Sequence, residues 1–332
     1  MFRITPFQRI CCKFRHYYEI LFPPINIYLT CEKNPEHASE IIFQQLVQEN
    51  PCMIARFGST ELYCLANYLG VKKGFWKSFI PFLLAKGEPW WMMPQRISDL
   101  KNCSGLFSVE KKGEVEKFCE LMLDDMKYVD ILGSWVCKEY LIEPYIRQAK
   151  RIFLPYLEPY YAPKPWTSAL KGRKVLVVHP FAEQIKNQYQ NSKEVLFKNK
   201  LILPDFKIST LQAVQSLCGE SNGFTSWFDA LEFMKSEIDK IDYDIAIIGC
   251  GAYGFHLAAH VKRSGKKAIH LGGATQLLFG IKGNRWENSM YGVKEWGLPY
   301  GFYTNMFNSH WIKPGTEGRP QNAESVEGAC YW

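Results

Sequence analysis

Thirty residues, Asp244 to Gly273, constrain the fold of this chain more than any other stretch. They read DIAIIGCGAYGFHLAAHVKRSGKKAIHLGG. Ile245 to Ile248 are a short apolar, β-rich run. Gly249, Gly251 and Gly254 then supply the G-x-G-x-x-G spacing with which a backbone can approach a phosphate at a helix N-terminus. Phe255 to Ser264 is expected to be a helix, and Gly265 stands where a C-cap glycine ends one. Lys267 to Leu271 begins a second strand. The stretch therefore spells a right-handed β-α-β crossover, half of a nucleotide-binding sheet.

Dinucleotide binding asks for more than glycines. An acidic side chain is expected about twenty residues on, at the end of the second strand, to hold ribose hydroxyls. His270 occupies that place, and the strand runs directly into a second glycine turn, Leu271-Gly272-Gly273. An NAD- or S-adenosylmethionine-dependent enzyme stays an alternative without its most diagnostic residue. So does the plainer reading, in which the glycines serve only a tight turn and close helix-strand packing.

A chain of 332 residues with 47% hydrophobic content can bury a sizeable core. Eleven cysteines, with no C-x-x-C pair and an odd total, fit reduced cytosolic thiols better than a disulfide framework or a zinc site. No apolar run approaches the length of a membrane span. The net charge of +7 is spread too thinly for a nucleic-acid stripe but suits anionic small molecules or an anionic membrane surface. Phe2 to Leu21 mixes Arg3, Arg9, Lys13 and Arg15 with Phe, Ile, Tyr and Leu, the pattern of a basic interfacial segment. The competing expectation is an ordinary packed helix, kept short by Pro6.

Along the chain, strands and helices alternate, which predicts an α/β, Rossmann-like, mostly parallel sheet with helices on both faces. Expected helices cover 35–48 (Asn34 as N-cap), 114–126, a stretch from about Glu183, and 224–241. Expected strands cover 52–55, 128–132, 174–178 and 201–203. Residues 71–110 are rich in aromatic residues and show no clean period. The expected organisation is an N-terminal arm over 1–40, one Rossmann-like domain over 41–312, and a polar tail over 313–332.

The second informative turn is Ile54 to Leu62, where an apolar strand ends in Arg56 and Gly58 and a helix begins. The carboxyl ends of parallel strands form the ligand crevice of such sheets, so Arg56 is placed to hold a diphosphate and Glu61 a metal or a sugar hydroxyl. Equally, Ser59 is placed to cap the helix and Glu61 to complement its dipole. R-x-G-x-x-E after a strand, followed downstream by strand-G-x-G-helix-strand-G-G, resembles the GT-D fold glycosyltransferases over roughly residues 50 to 290. Residues 174–286 also resemble proteins of bacterial surface-polysaccharide gene clusters. The GT-D family carries R-[FI]-G-D-G-E, whose Asp-x-Glu pair is thought to hold a divalent metal against a nucleotide-sugar diphosphate. Here Arg56, Gly58 and Glu61 match, Ser59 replaces the aspartate and Thr60 the second glycine. One carboxylate, Glu61, is left for Mn²⁺ or Mg²⁺.

The resemblance implies a hexosyltransferase that uses a nucleotide diphosphate sugar, UDP-linked by expectation. Its acceptor would be a surface glycan or a lipid-linked precursor at the inner face of the cell membrane. An inactive sugar-nucleotide-binding protein is the non-enzymatic alternative. Backbone at Gly249, Gly251, Gly272 and Gly273, with Lys282 and Arg285, is expected to receive the diphosphate, and Tyr253 to stack on the base. His179, just after strand 174–178, is the expected base or acceptor contact, with Glu183 as its rival. The aromatic run Phe75 to Trp91, with Trp311, Tyr331 and Trp332, offers platforms for a sugar acceptor or simply core. Two tempting motifs are set aside: Asp242-Tyr243-Asp244 precedes its strand and faces the wrong edge, and His256 with His260 lacks a third zinc ligand.

Overall fold

The computed structural model describes residues 4–315 and 329–332. Seven strands form one sheet: β1 Cys52–Arg56, β2 Ile131–Ser134, β3 Lys150–Phe153, β4 Lys174–His179, β5 Lys207–Gln212, β6 Ile245–Ile248 and β7 Lys267–His270. Their order is β3-β2-β1-β7-β6-β4-β5, and every pairing is parallel. The register is continuous through the centre, with Ile247 opposite both Val177 and Ile269.

Parallel strands need cover on both faces, and these have it. Successive side chains along a strand point to opposite sides. Thus Met53, Ala55, Leu176, Val178, Ala246 and Ile248 enter one core, while Ile54, Val175, Val177, Ile245, Ile247 and Ile269 enter the other. The first face is covered by helices α3 Ser59–Leu83, α4 Pro94–Ser104, α5 Glu114–Met126, α7 Trp227–Asp239 and α8 Tyr253–Arg263. The second is covered by α2 Pro35–Val47, α6 Ala182–Leu196 and the segment from Leu277 to Trp311. Helix α1, Pro6–Leu21, lies outside both cores against the region of Phe79 to Trp91. Among the described residues no helix is long and apolar enough to cross a membrane.

Several sequence expectations need correction. The strand expected over 201–203 is a turn whose Ile202 and Leu203 plug the second core. Pairing with β4 is made instead by Lys207–Gln212, an edge strand with partly exposed side chains. Helix α8 starts at Tyr253, two residues before the expected Phe255. Pro6 does not shorten the first helix but opens it, at the first helical position beside a Thr5–Gln8 capping box. The stretch without a clean period is mostly helical: α3 continues to Leu83 through Gly74, whose φ of +74° breaks the helical ladder, and α4 follows. Helix α2 sends Ala38, Ile42 and Leu46 into the second core and so crosses position 40, the expected end of the arm. Most of the expected tail, residues 316–328, lies outside the described residues. Its last residues return to the body: Asn284 N–H donates to Trp332 O (3.0 Å) and Arg285 N–H to Cys330 O (3.1 Å).

The connections fix where a ligand can sit. Helix α6, after β4, lies on one face, and α8, after the neighbouring β6, lies on the other. Their divergence opens a crevice beyond the carboxyl ends of β4 and β6, the general ligand position of open α/β sheets.

Candidate functional site

A cavity of about 170 Å³ lies in that crevice, lined by residues following β1, β2, β4, β5, β6 and β7. Arg56 is the last residue of β1. Its Nε and Nη2 donate to Phe57 O (3.2 and 3.0 Å), and its guanidinium carbon stands 5.3 Å from the centre of the Trp135 ring. Trp135 Nε1 donates to the same carbonyl (3.0 Å), so strand, tryptophan and arginine are held as a unit. Gly58, not Ser59, is the N-cap of α3, and no side chain caps it. The Glu61 carboxylate folds over Gly58: a β-carbon there would stand 1.9 Å from Glu61 Oε2.

The floor is made of two glycine turns in contact. A β-carbon on Gly249 would lie 2.4 Å from Gly272 O and 2.5 Å from Thr275 Oγ1. Gly272 takes φ +63° and leaves only 3.2 Å between its absent β-carbon and Arg56 Nη1. Gly273 sits under the ring of Tyr331, 2.1 Å from Cε1 by the same measure. Gly251 supplies a second positive φ, +56°. Gly254 serves packing, because a β-carbon there would strike His270 Nε2 at 2.4 Å. These turns thus bring backbone, Arg56 and the C-terminal aromatic residues close together. One amide of the helix start is already used, as Ala252 N–H donates to Ser104 O (3.3 Å).

The structure gathers Arg56, Gly58, Ser59, Glu61, His179, Gly249, Gly251, Tyr253, Gly272 and Gly273 around this cavity. Three of the expected roles do not fit. Tyr253 is no platform for a base: its ring is buried and stacked on Trp227 (4.6 Å, 6°), with its hydroxyl 2.9 Å from Ser216 Oγ. Lys282 is not among the lining residues, and its ammonium lies 5.5 Å from the Phe307 ring centre. Arg285, expected beside it, does line the cavity, its guanidinium 5.0 Å from the ring centre of Tyr331. His179 is buried, and burial pushes its pKa down to about 3. Its Nδ1 accepts from Phe181 N–H (3.0 Å), which puts the proton of the neutral ring on Nε2. His179 is therefore a hydrogen-bond donor toward the cavity at neutral pH, too weak a base for the role expected of it. Its rival Glu183 is exposed and lies outside the lining.

The set-aside motifs fall as their spacing suggests. Asp244 accepts from Lys174 N–H and Asp242 pairs with Lys174, at the amino edge of the sheet. His256 is buried against Asp125 (2.7 Å), and His260 meets Asp239 (2.8 Å). His270, where an acid would meet ribose, is buried with its pKa lowered to about 3 by burial.

Among the described residues Glu61 carries the one carboxylate side chain on the cavity wall. No group of three His, Cys, Asp or Glu side chains that could hold a metal occurs among the described residues. One carboxylate with the Ser59 and Thr60 hydroxyls makes no protein-only cation site, so Mg²⁺ or Mn²⁺ would need phosphate oxygens as its other ligands.

A second, larger cleft of about 780 Å³ adjoins the first and shares Arg56, Ser59, Trp135, Gly273 and Arg285 with it. Its walls carry Tyr28, Tyr63, Phe153, Trp286, Tyr291 and Trp296, with Glu158 among them. Glu158 accepts from Tyr303 OH (2.9 Å), which in turn meets Tyr161 OH (3.1 Å). Desolvation among these tyrosines raises its pKa to about 8, against the opposing pull of Tyr303 and Arg56. Among the described residues Glu295 is the other carboxylate side chain of the cleft, and it is exposed. Glu158 had no motif to announce it. Its only trace in the sequence is one acid within the aromatic and proline-rich run LPYLEPYYAP that follows β3.

The chain matches no family model, no curated protein and no solved structure.

Proposed function

We propose that this protein transfers a hexose from a nucleotide diphosphate sugar, UDP-linked in the first instance, to a hydroxyl of a glycan or lipid-linked precursor. The observation that carries the reading is the pair of adjoining cavities that share Arg56 and Arg285 as their common wall. Transfer of a sugar requires a leaving diphosphate to be neutralised at the point where donor and acceptor sites meet. Two guanidiniums at the junction suit that demand, since a planar fork of donors matches phosphate oxygens.

In this scheme the nucleotide diphosphate lies on the glycine floor of the first cavity, close to backbone at Gly249, Gly251 and Gly272. His179 Nε2 offers a hydrogen bond to its polar groups. The acceptor lies in the aromatic second cleft, where flat side chains suit the apolar faces of sugar rings. Glu158, with a pKa near working pH, takes the proton of the acceptor hydroxyl as the new glycosidic bond forms and the nucleotide diphosphate leaves. Glu61 holds a sugar hydroxyl, or shares Mn²⁺ or Mg²⁺ with the diphosphate when a cation is bound. The resemblance through Arg56, Gly58 and Glu61 supports the same assignment. Release of UDP or GDP from UDP-glucose, UDP-galactose and GDP-mannose, with and without Mn²⁺, tests it. Turnover of one donor that Arg56→Ala abolishes in a folded protein is expected. Inertness toward all three, with binding of NAD or S-adenosylmethionine, refutes it.

A further inference from the structure

Helix α1 hides little of itself. Cys11 is its one fully buried side chain, while Ile10 (65%), Phe14 (52%), Tyr17 (66%) and Leu21 (73%) are exposed. With Phe7, these recur every three or four residues and so form one apolar stripe that flanks the buried side of the helix marked by Cys11. The stripe does not end with the helix. Phe22, Ile25, Ile27 and Tyr28 continue it, exposed, along an extended segment. Phe7 rests on Phe79 (6.2 Å between ring centres), which brings the end of α3 alongside, with Trp76 90% exposed and Ile80 also exposed. Single exposed apolar residues are ordinary, but a continuous series of this length marks a contact surface.

Charge identifies what it contacts. From residue 4 to residue 30 the single acidic side chain is Glu19, and Arg15 holds it at 2.8 Å. Arg9 and Lys13 are exposed beside the stripe. The adjoining segment 71–87 contains Lys72, Lys73, Lys77 and Lys86 and no acid. An apolar stripe with tryptophan and tyrosine, flanked by cations in excess of acids even with Arg15 paired to Glu19 and Lys72 to Glu120, is complementary to an anionic lipid surface, which takes aromatic and aliphatic side chains at its headgroup boundary and lysine and arginine at its phosphates. A second copy of the same face would set these cations against each other.

We infer that α1, residues 22–28 and the Trp76–Ile80 turn of α3 form a docking face for an anionic bilayer. The inference stands on exposure and charge and is independent of the transferase reading. It also bears on that reading, because Tyr28, Leu29 and Cys31 line the second cleft. The docking face therefore leads to the mouth of that cleft.

The test uses the full chain with sedimentable vesicles of phosphatidylcholine, with or without phosphatidylglycerol, and gel filtration with light scattering in parallel. Co-sedimentation with the anionic vesicles that weakens as salt is raised is expected. Arg9→Gln/Lys13→Gln should weaken it roughly twenty-five-fold, at about five-fold per cation. Ile10→Asp/Phe14→Asp should abolish it with the melting temperature unchanged, because both side chains stand more than half exposed. A wild-type chain that stays in the supernatant with both vesicle types overturns the inference. So does a dimer that Ile10→Asp/Phe14→Asp disperses in the absence of vesicle binding, which would assign the face to a second copy.

Discussion

Replacing Glu158 by glutamine is the most informative single change, because charge, burial and proposed chemistry all meet at that carboxyl. With a pKa of about 8, only about a tenth of Glu158 is ionised at pH 7 and about nine-tenths at pH 9. A rate that depends on the carboxylate should therefore rise about ten-fold between pH 7 and pH 9 under subsaturating donor. In Glu158→Gln this limb should vanish, and the rate at pH 9 should fall by roughly 10²–10⁴, the usual contribution of a general base. Glutamine keeps the side chain's length and can still accept from Tyr303 OH, so the variant should fold. Stability gives a reading independent of catalysis. The folded pKa is raised above the ordinary carboxyl value, so the protonated form stabilises the fold at low pH and that contribution is lost as pH climbs from about 4.5 through about 8. Glu158→Gln should accordingly raise the melting temperature at pH 8.5 relative to wild type and not at pH 4.5. A pH-rate profile of the same shape in wild type and variant refutes the base assignment, and a pH-independent difference in melting temperature refutes the raised pKa.

Three further outcomes follow from the site. Gly249→Ala should destabilise the protein by about 1–3 kcal/mol and abolish nucleotide binding, because the new methyl meets the Gly272 carbonyl at 2.4 Å and backbone must move. Denaturant unfolding and a nucleotide titration check both halves. His179 and His270 have folded pKa values depressed to about 3, so they stabilise the fold above the ordinary histidine value and that stability is lost as pH falls from about 6.5 towards 3. His179→Gln should flatten that acid limb of a melting curve. Trp135→Phe should weaken nucleotide-diphosphate binding several-fold while sparing the fold, since it removes the Nε1 hydrogen bond that holds the Phe57 carbonyl in place under Arg56.

The parts of this molecule that could be read from its sequence are those in which local signals agree. In 244–273 the β-branched run, the glycines and the apolar helix face all point to one unit, and β6, α8 and β7 form as expected. The edge strands β3 and β5 escape for a physical reason. KRIF and KISTLQ are partly exposed and carry polar side chains, so neither alternation nor an apolar run marks them. Ile202 and Leu203 mislead in the opposite sense, since their burial comes from core packing and not from pairing. In α3, Gly70, Gly74 and Pro81 hide a helix that tertiary packing retains, with Ser78 Oγ donating to Gly70 O (2.9 Å) across the break.

At the site, Arg56, Glu61 and the four floor glycines were legible because strand ends and glycine spacing announce them. The roles of Tyr253 and His179 were not, because Trp227 and the Phe181 amide that occupy them lie on segments far away or around a corner in the chain. Arg285 was expected at the diphosphate and does line both cavities, whereas Glu158 reaches the second cleft through long-range packing that no local pattern foretells.

The measurement closest to the central claim is a calorimetric titration of UDP, UDP-glucose, NAD and S-adenosylmethionine into the wild-type chain and into Arg56→Ala. The account predicts saturable binding of UDP and UDP-glucose, lost or weakened at least ten-fold in the variant, and no heat from the other two. Binding of NAD or S-adenosylmethionine, or UDP binding indifferent to Arg56, would contradict it.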